Sequence, residues 1–390
     1  AESAGKAGLS VLLIEKNNLG GVCLNEGCIP TKTLLYSAKT YDSAKHASKY
    51  AINVSEVSFD LSKIIVRKSK VVRKLVLGVK AKLASNNVAI VSGEAQIIDK
   101  NTVRCGEETY EGENLILCTG SETFIPPIPG VETVNYWTHR DALDNKELPA
   151  SLAIVGGGVI GMEFASFFNS LGVQVTVVEM LDEILGGMDK ELSALLRAEY
   201  AKRGIKFLLS TKVVGLSQTE GAAVVSYENA EGSGSVVAEK LLMSVGRRPV
   251  TKGFGLENLN LEKTERGAVK VDEKMQTSVP GVYVCGDLTG FSLLAHTAVR
   301  EAEVAVHSIL GKEDTMSYRA IPGVVYTNPE IAGVGETEES ASAKGITCQV
   351  IKFPMAYSGR FVAENEGVNG VCKVLLDEQE RVIGAHVLGN

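Results

Sequence analysis

The chain has no surplus of positive charge. Forty Lys and Arg stand against 47 Asp and Glu, a formal net charge of −7. General nucleic-acid binding needs a basic footprint for the phosphates, so that class is excluded. No apolar run reaches the ~18 residues of a membrane-spanning helix. Proline is scarce, at 10 of 390 residues, and glycine follows no Gly-X-Y period. A Pro/Gly-rich disordered chain and a collagen are both excluded. Cysteine is odd in number, with 7 in a long chain, which excludes a small disulfide-stapled secreted scaffold. Ala1-Glu2-Ser3 carries no initiating methionine and no secretory hydrophobic segment follows. The expectation is a natural start upstream and a cytoplasmic protein, with the mitochondrial matrix as the alternative.

What is abundant is glycine, with 40 residues. Glycine collects where backbone turns sharply or approaches a ligand closely. Hydrophobic residues at 45% and charged residues at 22% describe a globular chain able to bury a large core. At roughly 150 residues per domain the length implies two to three domains.

The clearest glycine motif is Gly156-Gly157-Gly158-Val159-Ile160-Gly161. An apolar run precedes it, a helix-like segment follows, and the strand-like Val173-Gln-Val-Thr-Val-Val-Glu179 comes next. Glycines spaced G-x-G-x-x-G between strand and helix, with an acid 23 residues after the first, predict a dinucleotide site. Gly156 permits the tight turn, Gly158 lets backbone approach a pyrophosphate, and Gly161 lets the helix pack on the strand. The pyrophosphate lies at a helix N-terminus, where free N–H groups and the dipole favour anions. Glu179 would accept from a ribose 2′-hydroxyl and repel a 2′-phosphate, which favours NAD over NADP.

Gly8-Leu-Ser-Val-Leu-Leu-Ile-Glu15 repeats Gly172-Val-Gln-Val-Thr-Val-Val-Glu179 at an offset of 164. The same offset puts the partners of Gly156, Gly158 and Gly161 before residue 1. Two dinucleotide units are therefore expected, the first without its first strand and glycine turn, with Ala1–Gly8 as a helix tail.

Cys23 and Cys28 flank Leu24-Asn-Glu-Gly27. In a regular helix such a spacing separates Cα atoms by about 8.6 Å, whereas a disulfide needs less than about 7 Å. A bridge here requires a distorted segment, for which Gly27 supplies freedom. A thiol near a helix start is also a good nucleophile or leaving group. A zinc site would need a second Cys/His pair with ligand spacing, and no metal is expected. Two unpaired thiols are the remaining alternative. The other cysteines, including Cys118 and Cys285 at the ends of apolar runs, read as buried small hydrophobes.

Gly20-Gly21-Val22-Cys23-Leu-Asn-Glu-Gly-Cys28-Ile-Pro-Thr-Lys32 resembles the redox-active motif of the pyridine nucleotide–disulfide oxidoreductases, and within them is most similar to the dihydrolipoyl dehydrogenases. Thr119-Gly120-Ser121, Val245-Gly246-Arg247-Arg248-Pro249, Gly286-Asp287, Leu293-Leu294-Ala295-His296 and Tyr326-Thr-Asn-Pro329-Glu330 resemble further family motifs, in the family's order. The resemblance implies an α/β fold of two Rossmann-like domains, for FAD and NAD, plus an α+β dimerisation domain. It implies an FAD-dependent dihydrolipoamide:NAD+ oxidoreductase in which dithiol substrate attacks Cys23, Cys28 faces the flavin, and Lys32 pairs with Glu163. It assigns FAD to Glu15, Lys16, Gly20, Gly21, Val22, Cys23, Lys32, Ala95, Thr119, Gly120, Ser121, Asp287, Leu293, Leu294, Ala295 and His296. It assigns NAD to Gly156, Gly157, Gly158, Val159, Ile160, Gly161, Glu163, Glu179, Val213 and Gly246. The implied partners are a second copy of the chain and the lipoyl domains of 2-oxo acid dehydrogenase complexes or the glycine-cleavage lipoyl protein, with no nucleic acid and no membrane.

Leu24, Ile29, Thr31, Val159 and Glu179 separate this chain by resemblance from glutathione reductases. A mercuric reductase-like or other flavin disulfide reductase is the enzyme alternative; a non-catalytic nucleotide-binding fragment is the other class. The family's His–Glu catalytic pair has no match among the five histidines, and the last residues read as a strand in mid-domain, so truncation at both ends is expected.

The expected domains are 1–149 and 271–317 for FAD, 150–270 for NAD and 318–390 for the interface. Expected local features are a basic solvated helix over 60–84, a hairpin tip at Gly232-Ser-Gly-Ser235, and a hairpin turning at Asp377-Glu-Gln.

Overall fold

The computed structural model describes residues 1–365 and 369–389. Residues 366–368 and Asn390, which fall in the expected interface domain, lie outside the described residues. Contacts divide the chain into two compact units. The first is Ala1–Ile29, Lys70–Phe124 and Arg247–Tyr318; the second is Pro30–Ser69, Ile125–Gly246 and Arg319–Asn390.

In the first unit a short helix, Glu2–Lys6, ends before Gly8, whose φ of +86° turns the chain into the strand Leu12–Glu15. That strand pairs in parallel with Ala89–Ser92. A second parallel pair joins Leu115–Leu117 to Val282–Val284. Ala95–Ile97, Thr102–Cys105 and Glu108–Glu111 form an antiparallel meander. Ile97, Leu117, Leu256, Val269, Val282, Val284 and Leu288 share one core. The strands that end in the expected flavin residues are thus anchored by buried aliphatics, and the polar residues emerge past their carboxyl ends.

The second unit holds a five-stranded parallel sheet in the order Lys206–Leu208, Gln174–Val178, Ser151–Val155, Lys240–Met243, Tyr136–Trp137. Its central strands read as continuous apolar runs because helices cover such sheets. The helices Val159–Ser170 and Lys190–Lys202 contribute Phe164, Phe167, Phe168, Leu192 and Leu196 to the core. The strands Lys212–Thr219, Ala222–Asn229 and Gly232–Ala238 form an antiparallel sheet. A second five-stranded sheet, wholly antiparallel, runs Gly323–Val325, Glu330–Gly335, Val382–Gly389, Val371–Leu376, Gln349–Pro354. The Asp377 turn joins two of these strands as expected. Its carboxylate accepts from the N–H groups of Gln379 and Arg381, both at 2.9 Å.

Three local expectations need correction. The hairpin tip is Ala230-Glu231, and Gly232–Ser235 lie within a strand. Asn229 accepts from the Glu231 N–H at 2.9 Å, closing the turn early. Gly234 then pairs with Tyr227, whose hydroxyl would lie 2.5 Å from a Cβ at that glycine. The helix runs Leu61–Ser85, but Lys68 is buried within it and donates to the Leu143 carbonyl at 3.0 Å and to Asp144. Among the five cysteines read as buried, Cys105 and Cys285 are, whereas Cys348 and Cys372 are half-buried and Cys118 is exposed.

Candidate functional site

In the first unit Gly20 and Gly21 take φ of +103° and +67° and open the helix Gly21–Glu26. Gly27, at φ −139° and ψ −109°, breaks it, and a new helix begins at Cys28. The break brings the Cα atoms of Cys23 and Cys28 to 4.6 Å, and their sulfurs form a disulfide. A Cβ on Gly27 would stand 3.0 Å from the Val22 carbonyl oxygen and 3.2 Å from the Cys23 Cα, so a side chain there would press on the bridge. Asn25 ties the segment by donating to the carbonyls of Leu19 and Gly21 at 3.0 and 2.9 Å. Both cysteines are half-buried.

Glu15 closes its strand and its carboxylate accepts from the Asn17 N–H at 2.8 Å. Lys16 pairs with Glu94 at 3.3 Å, and Ala95 begins the next strand. Thr119 Oγ1 donates to the Val250 carbonyl at 3.0 Å, and Gly120 has φ of +70°. The Ser121 hydroxyl donates to the Asp287 carboxylate. Ser121 is held in turn by Arg247, through Nε to its Oγ at 2.7 Å and Nη2 to its carbonyl at 2.6 Å. Leu293 and Leu294 are exposed ahead of the helix Ala295–Ile309, in whose first turn His296 lies. Glu301 on that helix is fully buried. It accepts from the Gly286 N–H, from the Tyr318 hydroxyl at 2.7 Å and from Thr289 Oγ1 at 3.4 Å. Burial pushes its carboxyl above the usual range.

In the second unit the strand Ser151–Val155 ends at Gly156, at φ +101°. Gly158 precedes the helix Val159–Ser170, and a Cβ built there meets nothing within 4 Å. At Gly161 a Cβ would lie 2.1 Å from the Gly156 carbonyl oxygen and 2.8 Å from Ser244 Oγ. One glycine thus leaves room outward and the other permits close packing inward. The Glu179 carboxylate accepts from the Gly157 N–H at 2.6 Å and the Leu181 N–H at 2.8 Å, which fixes it beside the glycine turn. Val159 is exposed and Ile160 half-buried. Gly246 has φ of +120° and follows Val245, whose Cα would stand 3.1 Å from a Cβ on Gly156. Val213 instead sits on the antiparallel sheet, packed on a core that includes Ala223, Val225 and Leu241.

Lys32, four residues after Cys28, reaches Glu163 with Nζ 2.7 Å from Oε1 and 3.0 Å from Oε2. Glu163 is only 5% exposed in its side chain, and Lys32 is 29%. Glu163 also accepts from the Tyr326 N–H at 3.1 Å, and the Lys32 ammonium lies 4.6 Å from the Tyr326 ring centroid. Sequence reasoning missed the parts played by Tyr326, Arg247 and Glu301. Tyr326 and Arg247 stand in motifs that were noticed for their order; Glu301 carried no signal beyond an acid on a partly apolar helix. His386 is buried, with Nε2 2.8 Å from the Glu336 carbonyl, and His307 pairs with Asp314 at 2.7 Å. Among the described residues no group of three or more metal-ligating side chains occurs, and no helix is long and apolar enough to cross a membrane.

Residues 1–302 match the model of the pyridine nucleotide-disulphide oxidoreductases, and residues 321–390 match that family's dimerisation domain. The chain is 37% identical to a dihydrolipoyl dehydrogenase of Geobacillus stearothermophilus over 392 residues, 99% of this chain and 83% of the relative. It is 39% identical to one of Thermus scotoductus over 387 residues, 98% and 83% respectively. Among solved structures, LpdA from Mycobacterium tuberculosis matches with a TM-score of 0.90 at 25% identity, covering all of this chain and 87% of that one. The HOCl-induced flavoprotein disulfide reductase RclA from Escherichia coli matches at 0.86 and 31%, covering all of this chain and 86% of that one. With a family model matching residues 1–302 and relatives matching nearly the whole length, the chain belongs to the pyridine nucleotide–disulphide oxidoreductases, a family of FAD-dependent oxidoreductases.

Proposed function

We propose that the chain is a dihydrolipoamide:NAD+ oxidoreductase that acts as a homodimer. The half-buried Cys23–Cys28 disulfide carries this reading, because it presents a reducible bond to a dithiol substrate. The residues present fit NAD and, apart from the pyrophosphate turn expected before residue 1, FAD. Gly156, Gly158 and Gly161 make the turn a pyrophosphate needs, and the fixed Glu179 carboxylate suits a ribose diol. Glu15, Thr119, Gly120, Ser121 and Asp287 offer hydroxyls, carboxylates and left-handed backbone at strand ends, which suits FAD. When bound, FAD would supply the two-electron relay between the dithiol and NAD+.

The chain's own residues set the direction of thiol exchange. Cys28 is the first residue of an 18-residue helix. The N–H groups and dipole there favour a thiolate, so Cys28 is the better leaving group. One substrate thiol attacks Cys23 Sγ, the Cys23–Cys28 bond breaks, and Cys28 departs as thiolate. The second substrate thiol attacks the mixed disulfide, releasing Cys23 and closing the substrate's own disulfide. The substrate is oxidised by two electrons, and the cysteine pair holds them. In the second unit the Lys32–Glu163 pair answers a buried carboxylate with a cation.

The proposed domains are 1–149 with 271–317 for FAD, 150–270 for NAD, and 318–390 for dimerisation. The proposed partners are the lipoyl domains of 2-oxo acid dehydrogenase complexes or the glycine-cleavage lipoyl protein, in the cytoplasm. The test is the purified full-length protein mixed with dihydrolipoamide and NAD+. NADH formation is expected, together with a long-wavelength absorbance band on partial reduction that disappears in Cys28→Ser. A flavin-free protein, or a band unchanged in that variant, overturns the proposal. NADPH-dependent reduction of Hg2+ without dihydrolipoamide oxidation would assign the chain to the mercuric reductase class instead.

A further inference from the structure

A lysine is fully buried in the second unit. Lys373 lies on the strand Val371–Leu376, opposite Lys352 on one neighbouring strand and His386 on the other. Its side chain is 1% exposed, and so is that of Asp189. The Lys373 ammonium stands 2.8 Å from Asp189 Oδ2 and 3.1 Å from Glu191 Oε2, and it also meets Glu338. Glu191 and Glu338 reach solvent, and Glu191 has a second cation in Lys352 at 2.7 Å. Asp189 has another task as well. It begins the helix Lys190–Lys202, where its Oδ1 accepts from the Leu192 N–H at 3.1 Å. One carboxylate thus turns one oxygen to its own helix and the other to a strand of the dimerisation domain. A buried ion pair adds little net stability, because desolvation offsets the attraction. It is directional, however, where an apolar contact is not.

The residues before Asp189 back the glycine turn. The Leu185 N–H donates to the Gly157 carbonyl at 2.9 Å, and the Met188 N–H returns to the Leu185 carbonyl at 2.9 Å. Ile184 and Leu185 are buried, and a Cβ on Gly157 would stand 3.1 Å from Ile184 Cγ2. At the far end the Leu181 N–H holds the Glu179 carboxylate at 2.8 Å. Arg197 grips Glu183 through Nε at 2.8 Å and Nη2 at 2.9 Å. Residues 181–189 and the helix behind them are therefore tied into one body. Lys373 holds that body from the dimerisation domain.

We infer that Lys373 is a positioning residue for NAD+: through Asp189 it fixes the segment that supports the Gly157 turn and the Glu179 carboxylate. The inference rests on the NAD+ reading of that turn proposed above. It makes nucleotide affinity depend on a side chain of the dimerisation domain that touches no nucleotide. The thiol exchange at Cys23 and Cys28 lies in the other unit and draws on neither Lys373 nor Asp189.

The test uses the full-length, flavin-loaded protein and three readouts. These are the NAD+ dissociation constant by titration, the urea midpoint, and the rate at which dihydrolipoamide alone reduces the enzyme. Lys373→Met leaves the Asp189 charge buried without its cation. A lower urea midpoint is expected, with an NAD+ dissociation constant raised about three- to tenfold and dihydrolipoamide reduction unchanged. Adding Asp189→Asn keeps a helix cap and removes the buried charge. This double variant is expected to recover the urea midpoint while NAD+ binding stays weak, and it carries the test alone where the single variant does not fold. NAD+ binding that recovers together with stability overturns the inference. So does an unchanged dissociation constant in a folded variant, or an equal loss of dihydrolipoamide reduction. Wild type that binds NAD+ no better than the variants sinks this inference alone; wild type that binds no NAD+ overturns the functional proposal with it.

Discussion

Glu163 shows what a buried carboxylate demands. It sits on an apolar helix among Met162, Phe164 and Ala165, and its charge is answered by Lys32 and the Tyr326 N–H. Removing one partner of a buried ion pair leaves an uncompensated charge and costs about 3–5 kcal/mol. Lys32→Met is therefore expected to destabilise by about 3 kcal/mol, measured as a lower urea midpoint. Glu163→Gln, which keeps an acceptor for Tyr326, should lose less. Glu179 answers a different need. It lies beside the glycine turn, and its two N–H donors hold it there. Glu179→Arg is expected to reverse the preference between NAD+ and NADP+, read as the ratio of the two kcat/KM values. Glu179→Gln forfeits charge-assisted hydrogen bonds worth about 1.5–3 kcal/mol and should raise the NAD+ KM without gaining NADP+. Glu179 was legible because its distance from the glycine turn is fixed by one strand–helix–strand unit. Arg247 and Ser121 lie 126 residues apart, and Glu301 and Tyr318 meet only through the tertiary fold. Nothing local in the sequence marks such pairs.

At the scale of elements, turns were legible where the backbone itself demanded a residue type. The break at Gly27 follows from the need to bring two cysteines within bonding reach, and the structure meets it with two helices and no Cβ between them. The Asp377 hairpin follows from an acidic side chain able to accept from its own turn. The Gly232 hairpin misled because glycine served a second purpose, clearing space for the Tyr227 ring. The glycine turn at Gly156 makes the sharpest prediction. In Gly161→Ala the new methyl would have to displace the Gly156 carbonyl, which is backbone and cannot rotate away. Overpacking of this kind costs about 1–3 kcal/mol, so a lower Tm and weaker NAD+ binding by titration are both expected. Gly158→Ala, where the Cβ enters open space, should keep Tm and lose nucleotide alone.

For the whole molecule, fold class was readable because strand–helix–strand units repeat and the final segment alternates as antiparallel strands. The crossings of the chain between its two compact units were not readable, since they fall within helices at 29–30 and 69–70 as well as in connectors. Stability against acid is also a property of the whole. Arg300 and His307 hold the Asp314 carboxyl below its ordinary 3.8. Lys352 and Lys373 do the same for Glu191, and Lys344 with Ser340 for Glu336. A depressed folded pKa gives stability that is present above the unfolded value and lost as pH falls through the folded one. The melting temperature is expected to drop as pH is taken below the usual carboxylate range. The gap between wild type and Asp314→Asn should be open at neutral pH and narrow progressively as pH falls from 3.8 towards the much lower folded value. A gap that is constant with pH would falsify this account of Asp314. The antiparallel sheet has one further consequence. Its middle strand, Val382–Gly389, is the last of the five in the chain, lying between Glu330–Gly335 and Val371–Leu376. On the ribosome, four strands therefore emerge before the one that joins them. Until it is made, two strand edges stay unpaired, and chaperone capture or mispairing with a neighbouring nascent chain is concentrated in that interval.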